Sequence, residues 1–322
     1  MLRMLRATAI AVGTLFVGGQ ALAAYPDRPI TLVVPYNAGG PTDAMARILQ
    51  GPLQKELGVT IVVENVAGAG GAIGAQRVLR APADGYTLFL GNNGPSAVTP
   101  LLQEPTPFDP LQDFTPVSLI SRATMILALS GQTPAKTLAE FVAYAKTRPG
   151  QLNYASAGIG SLGHLASTLM IQQAGLDMVH IPYKGQAPTV TALMAGEVDF
   201  LLTTPTDAMR AQDKDGRIRI VGVTSAQESP FDPGVAPIAE TVEDFVLYSW
   251  FALLVRNGTP ADIVETLHGA VTRALEDPAV KERFAGLGVV AESSDGQTVA
   301  SLIRQDVDRW SQVIREHGIT AQ

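Results

Sequence analysis

Residues 31–49 read TLVVPYNAGGPTDAMARIL, and this stretch decides the fold. Thr31-Leu32-Val33-Val34-Pro35 has strand character and runs into Tyr36-Asn37-Ala38-Gly39-Gly40-Pro41. A helix is predicted from Thr42-Asp43, with Ala44, Met45, Ile48 and Leu49 at helical spacing. Thr42 or Asp43 is expected to cap its first turn. The Gly39-Gly40 pair permits a sharp turn and leaves backbone N–H groups uncovered. Free N–H groups at a helix start, together with the positive end of the helix dipole, suit an anion. Taken alone, the same glycines also read as nothing more than a tight strand-to-helix turn.

The pattern recurs on both sides of the chain's middle. Ile61-Val62-Val63-Glu64 leads through Asn65-Val66-Ala67-Gly68-Ala69-Gly70-Gly71 into a helix carrying Ile73, Ala75, Val78 and Leu79. Leu152-Asn153-Tyr154-Ala155 leads through Ser156-Ala157-Gly158-Ile159-Gly160-Ser161 into a helix carrying Leu162, Leu165, Leu169 and Met170. Three such units place three N–H-rich helix starts at the carboxyl ends of strands, where open α/β sheets bind ligands. The repetition favours an anion site over three idle turns. Thr87-Leu88-Phe89-Leu90 is a further buried strand, and its polar end Gly91-Asn92-Asn93-Gly94 belongs to the same cleft.

Residues 1–23 stand apart. Arg3 and Arg6 precede the small and apolar run 7–19, and Ala21-Leu22-Ala23 has the form of a cleavage site. This is the layout of a secretory signal peptide, and the apolar run is shorter than the ~20 residues a membrane-spanning anchor needs. No cysteine at the cut is available for lipidation. Without its leader the chain loses two arginines and has a formal charge of −9. A net acidic chain without a basic run argues against nucleic-acid binding. The absence of cysteine excludes disulfides, thiol catalysis and thiolate-bound clusters, and 322 residues are enough to bury a large core without them.

Strands and helices alternate along the remaining chain, which predicts an α/β fold with mostly parallel sheets. Prolines 100, 105, 107, 110 and 116 mark an irregular surface connection. Residues 117–129 form an extended run too long for one ordinary strand and read as a crossing between lobes. Ser249–Val255 reads as the return. Between them lie a helix from Lys136 to Lys146, strands over 177–182, 197–202 and 218–224, and the loop Tyr183-Lys184-Gly185-Gln186-Ala187-Pro188. Helices follow over 260–276, 278–286 and 297–316. The expected division is residues 24–124 with 250–322 as one lobe and 125–249 as the other, a hinged two-lobe clamp.

At this level the chain resembles the substrate-binding proteins of the tripartite tricarboxylate transporter family, the Bug-type receptors of proteobacteria. The resemblance rests on several ordered segments. They are Tyr25-Pro26-x-x-Pro29-Ile30, Val34-Pro35-Tyr36-x-Ala38-Gly39-Gly40-x-Thr42-Asp43, Val63-Glu64-Asn65-x-x-Gly68-Ala69-Gly70-Gly71-x-Ile73-Gly74, Asp84-Gly85-Tyr86-Thr87-Leu88, Pro149-Gly150-x-Leu152-Asn153-Tyr154-Ala155-Ser156-Ala157-Gly158, His164-Leu165-Ala166, His180-Ile181-Pro182-Tyr183-Lys184-Gly185 and Ser249-Trp250-Phe251. It implies a type II periplasmic-binding-protein fold, two lobes closing on a small carboxylate, no cofactor, and delivery to membrane permease subunits. By the same resemblance, Tyr36, Ala38, Gly39, Thr42, Asp43, Ala69, Gly70, Asn92 and Asn93 line the cleft from one lobe. Ser156, Ala157, Gly158, Ser161, His164, Tyr183, Lys184 and Thr203 line it from the other. Thr203 stands where many relatives carry an acid, which speaks against an amino-acid ligand, although Asp207 is near in sequence.

Sharper motifs fail. Gly68-Ala69-Gly70-Gly71-Ala72-Ile73-Gly74 has its last glycine one place late for a dinucleotide fingerprint, and no Lys-Ser or Lys-Thr ends it as in a nucleotide loop. Gly160-Ser161-Leu162-Gly163 lacks the glycine of a nucleophile elbow, since residue 159 is Ile. His164, His180, His268 and His317 show no metal-type spacing. The expectation is therefore a monomeric periplasmic receptor and not an enzyme. A receptor feeding a two-component kinase is the alternative, and an exported carboxylate-processing enzyme would need a nucleophile or metal cluster that the sequence does not display.

Overall fold

The computed structural model describes residues 25–102 and 105–320; the leader expected at 1–23 lies outside them. In chain order the elements are β1 (Ile30–Val34), α1 (Pro41–Leu57), β2 (Ile61–Asn65), α2 (Ala72–Leu79), β3 (Thr87–Asn92), β4 (Phe114–Ala123), β5 (Ile126–Ser130), α3 (Leu138–Lys146), β6 (Asn153–Ser156), α4 (Leu162–Gln173), β7 (Val179–Pro182), α5 (Gln186–Ala195), β8 (Phe200–Thr203), α6 (Asp207–Lys214), β9 (Ile218–Val223), β10 (Ser249–Arg256), α7 (Ala261–Glu276), α8 (Pro278–Gly286), β11 (Val290–Ala291) and α9 (Gly296–His317). They build two sheets. One is ordered β11-β4-β10-β3-β1-β2 and the other β7-β6-β8-β5-β9. The chain leaves the first sheet where β4 ends at Ala123, enters the second at Ile126, and returns with β10.

The sheets are mixed rather than mostly parallel. β1 pairs in parallel with β2 and β3, and β6 with β7 and β8. The crossing strands reverse the sense: β10 runs antiparallel to β3 and β4, and β5 antiparallel to β8 and β9. A strand that passes from one sheet to another enters without a helical crossover, so nothing forces it parallel. Each sheet is nonetheless covered on both faces, as the apolar runs ITLVV and SWFALLV require. Ile30, Leu32 and Val34 face one core while Val33, one residue out of phase, faces another.

α9 serves both units. Val299 and Ile303 pack with the first sheet's core, whereas Trp310, Val313 and Ile314 belong to the core under the second sheet. The C-terminal segment expected to sit wholly in one lobe thus spans the two. Other local differences have simple causes. Pro116 lies inside β4, not in the irregular connection, at a register shift opposite Leu254 where the ladder is already interrupted. The strand expected from residue 197 begins at Phe200, because Gly196 turns the chain out of α5 with φ +74 and Glu197 bonds back to Ala192. α6 follows Thr206 as a short polar helix not anticipated from an apolar stripe; its one buried residue is Met209.

Candidate functional site

Apart from α7, which starts at Pro260, the helix starts fall into two groups. α3, α4, α6, α8 and α9 begin at Thr137, Ser161, Thr206, Asp277 and Asp295, and each side chain accepts a first-turn N–H. α1, α2 and α5 begin at Gly40, Gly71 and Gly185 with no side-chain cap. A helix start without a cap leaves donors that something else must satisfy. All three follow strand ends expected to line the cleft. The cap sought at Thr42 or Asp43 is not one: Gly40 holds that position, and the Asp43 carboxylate instead reaches back to the Gly39 N–H at 2.9 Å.

Asp43 organises the loop after β1. It is 3% exposed and also accepts from Asn65 Nδ2 at 3.0 Å and Arg47 Nε at 2.9 Å. Burial alone would raise its carboxyl; the bonds from Arg47, Gly39 and Asn65 outweigh that and hold it below the usual carboxylate range. Asn65 joins two loops, since its amide also donates to the Tyr36 carbonyl at 3.1 Å. Thr42 is buried beside it, while Ala38 and Gly39 stay exposed. Asp43 and Thr42 therefore shape the loop, and the exposed backbone of 38–39 is what it presents.

The loops after β1, β2 and β3 form one cluster. Tyr36 Oη donates to Asn92 Oδ1 at 2.9 Å, and burial pushes that phenol far above its usual range, so it stays a donor. A Cβ at Gly94 would lie 2.9 Å from the same hydroxyl; one at Gly71 would lie 2.8 Å from Pro95 and 3.2 Å from Pro35. In the second loop Gly71 N–H closes on Gly68, and Ala72 N–H on Ala69. Gly70, at φ +63, has its carbonyl held by Thr99 Oγ1 at 2.9 Å. The N–H groups of Ala69 and Gly70 make no hydrogen bond among the described residues and remain available at an exposed edge. Asn93 differs from its neighbour. It is 1% exposed, and its amide is engaged by Trp250, Tyr248 and Asp306 instead of facing the cluster.

The loops after β6, β7 and β8 form the opposing cluster. Tyr183 N–H bonds to Ser156 O, Gly185 N–H to Ala157 O, and Gln186 Nε2 to Thr204 O. Ser156 is fully buried; its Oγ contacts His180 Nε2 at 2.7 Å and accepts from Gly158 N–H. Ser161 caps α4 by accepting from the His164 N–H. His164 and His180 stack with ring centroids 3.9 Å apart, and Tyr154 extends the stack on the far side of His180. Burial lowers His164 to about 3, helped by its neighbour, and lowers His180 to about 4. Both rings are neutral at physiological pH. Gly160 N–H donates to His164 Nδ1, so the neutral ring carries its proton on Nε2. Lys184 is exposed, and Thr203 ends β8 half-buried. Asp207 has 71% of its side chain exposed and lies 3.7 Å from Arg210. The two clusters meet where Leu102 packs against Gly160, which at φ +76 has no room for a side chain.

Around these loops lie uncapped N–H groups and neutral donors, while Arg47 and Lys184 are exposed. The Ser156–His180 contact is not a nucleophile pair: the serine is inaccessible, and no carboxylate among the described residues orients the imidazole. Asn65, Thr99 and His180 are not among the site residues expected from sequence. Asn65 alone carries a local signal, a polar residue at a strand end before a glycine run.

Two mixed sheets bridged by crossing strands, with facing glycine-rich loops, define a two-lobed solute-binding protein. The model of the tripartite tricarboxylate transporter family receptor matches residues 45–319, and the chain belongs to that family. Protein BugT of Bordetella pertussis is 34% identical over 99% of this chain and 98% of its own length. The periplasmic binding protein BugD superposes with a TM-score of 0.84 at 32% identity, covering 92% of this chain and all of the other. Rpa4515 of R. palustris, solved with adipate, gives 0.86 at 32% identity, covering 92% and 99%. MatC of Rhodopseudomonas palustris, solved with malate, gives 0.83 at 33% identity, covering 90% and 100%. The family is one of periplasmic solute-binding receptors, not of enzymes.

Proposed function

We propose that this chain captures a small mono- or dicarboxylate between its lobes and hands it to the membrane subunits of a tripartite tricarboxylate-type transporter. One carboxylate lies on the N–H groups at the glycine starts of α1 and α2, with Ala38, Ala69 and Gly70 as the backbone contacts beside the Gly39 N–H that Asp43 holds. Ser161, His164 Nε2–H, Tyr183 and the start of α5 meet the ligand from the other side. The observation that carries this reading is the division of helix starts: capped everywhere by side chains except at α7, which starts at Pro260, and at the three glycine starts beside the cleft loops. Adipate and malate in two relatives support it. Thr203 and the solvent-facing, Arg210-paired Asp207 offer no buried anion for an ammonium group, and the buried Asp43 is already taken up by Gly39, Asn65 and Arg47, so the ligand is a carboxylic acid without one. The protein is exported by residues 1–23 and acts as a monomer.

A thermal-shift screen of adipate, malate, other mono-, di- and tricarboxylates, aromatic acids and amino acids tests this. A ligand at 100 times its Kd adds about 2.7 kcal/mol of stability. At least one non-amino carboxylate should raise the midpoint. If none does, the binding reading fails; if only amino acids do, the assignment of ligand class fails.

A further inference from the structure

A polar junction lies on the far side of the β3 end from the cleft loops. Asp306, in the middle of α9, accepts two short hydrogen bonds on one oxygen: Asn93 Nδ2 at 2.6 Å and Trp250 Nε1 at 2.7 Å. Asn93 Oδ1 in turn accepts the Trp250 backbone N–H at 2.9 Å. Three parts of the fold therefore converge: the end of β3, the start of the returning strand β10, and the helix that spans both cores. Asn93 and Trp250 are 1% and 2% exposed, so water does not replace these partners cheaply. One oxygen that accepts from both donors, with no donor of its own to misplace, is what a carboxylate supplies.

The junction is one residue from the cleft cluster. Asn92 precedes Asn93 and holds Tyr36 Oη and the Gly94 N–H on its Oδ1. A displacement of Asn93 is transmitted along the backbone to Asn92 and from there to Tyr36 in the loop after β1. α9 is anchored by Ile303 in the first core and by Trp310 in the second, on either side of Asp306. Any change in the angle between the lobes therefore loads this residue.

We propose that Asp306 is a positioning residue for the binding cleft: through Asn93 it fixes the loops that carry Tyr36 and Asn92 to the helix that bridges the lobes. That these are ligand loops rests on the proposed function. The positioning itself is testable without a ligand, so failure of the carboxylate reading would be seen separately.

The test is hydrogen–deuterium exchange on unliganded protein, comparing wild type with Asp306→Ala, Asn93→Ala and Asp306→Asn. Asp306→Asn keeps one oxygen that can accept from both donors and gives up only the charge. Asp306→Ala and Asn93→Ala should each speed exchange in peptides covering 34–44 and 90–99 on the order of tenfold, the worth of one charge-assisted hydrogen bond. Asp306→Asn should retain more of the wild-type protection than Asp306→Ala. Faster exchange confined to 249–256 and 300–312 would mean that Asp306 merely ties α9 to β10, and would overturn the proposal. So would an Asp306→Asn protein that exchanges no slower than Asp306→Ala. If the single variants do not fold, Trp250→Phe deletes one donor while keeping an aromatic ring; unchanged exchange over 90–99 in that protein overturns the proposal as well.

Discussion

Asp43→Ala should destabilise the loop after β1 far more than its exposed salt bridge would indicate. Three donors converge on this carboxylate, at 2.9, 3.0 and 2.9 Å from Gly39, Asn65 and Arg47. They are not equal. Arg47 has half its side chain in solvent, so its ion pair is screened and adds little. Gly39 is exposed, and water takes part of that bond's place when the carboxylate is removed. Asn65 is half-buried and would be left with an unfilled donor. Bonds to charged groups are worth ~1.5–3 kcal/mol each. Discounting the exposed arms gives a loss of about 3 kcal/mol, or roughly 6 °C in midpoint for a chain of this size. Urea unfolding of wild type, Asp43→Ala and Arg47→Ala measures it. Because the folded carboxyl is held below its usual range, its contribution is present above the unfolded pKa near 4 and fades as pH falls through the folded value. The Asp43→Ala deficit should therefore shrink toward pH 3. A loss under 1 kcal/mol, or equal losses for Asp43→Ala and Arg47→Ala, would refute the view that the buried arm orders the loop.

Gly70→Ala should cost about 1–2 kcal/mol from its positive φ, plus the displacement of Thr99 Oγ1, which a Cβ would meet at 2.9 Å; a G70A/T99A protein recovering none of the loss would show that Thr99 is not the obstacle. His164 and His180 are held neutral well below the unfolded value of 6.5, to about 3 and about 4. The unfolded chain binds protons first, so stability should fall as pH drops from 6.5 toward 4, by up to about 1.4 kcal/mol per pH unit for each ring. His180→Phe should flatten that slope, and an unchanged slope would remove the ring from the account. Both tryptophans of the sequence, Trp250 and Trp310, line the hollow beside Asp306 and not the cleft. Any carboxylate that raises the melting midpoint should nevertheless change intrinsic fluorescence, and a silent titration at saturation would argue against coupling of the cleft to the hinge. Intact mass of protein recovered from the periplasm should lack residues 1–23; full-length protein in the membrane fraction would contradict export with cleavage.

The local elements were legible because each carries its own cause. Strand runs such as ITLVV and LLT, the glycine turns, and the apolar stripes of α1, α4 and α7 are set by periodicity and backbone freedom within a few residues. The two extended crossings betrayed a two-unit chain for the same reason: 117–129 is longer than one ordinary strand. What the tertiary structure alone decided are relations between distant residues. Thr42 and Asp43 looked like caps by composition, yet the carboxylate serves Gly39 and Asn65, because β2 brings Asn65 alongside. Asn92 and Asn93 are chemically identical neighbours, but Asn92 ends β3 while Asn93 has already turned into the helical region at φ −46 and ψ −44, so their side chains leave in different directions. One meets Tyr36 and the other Trp250 and Asp306, residues 157 and 213 positions away along the chain. The sense of β5 and β10, the stacking of His164 on His180, and the two cores shared by α9 likewise depend on which surfaces meet. No pattern within a sequence window encodes that meeting, since it is fixed by long-range packing of the two sheets.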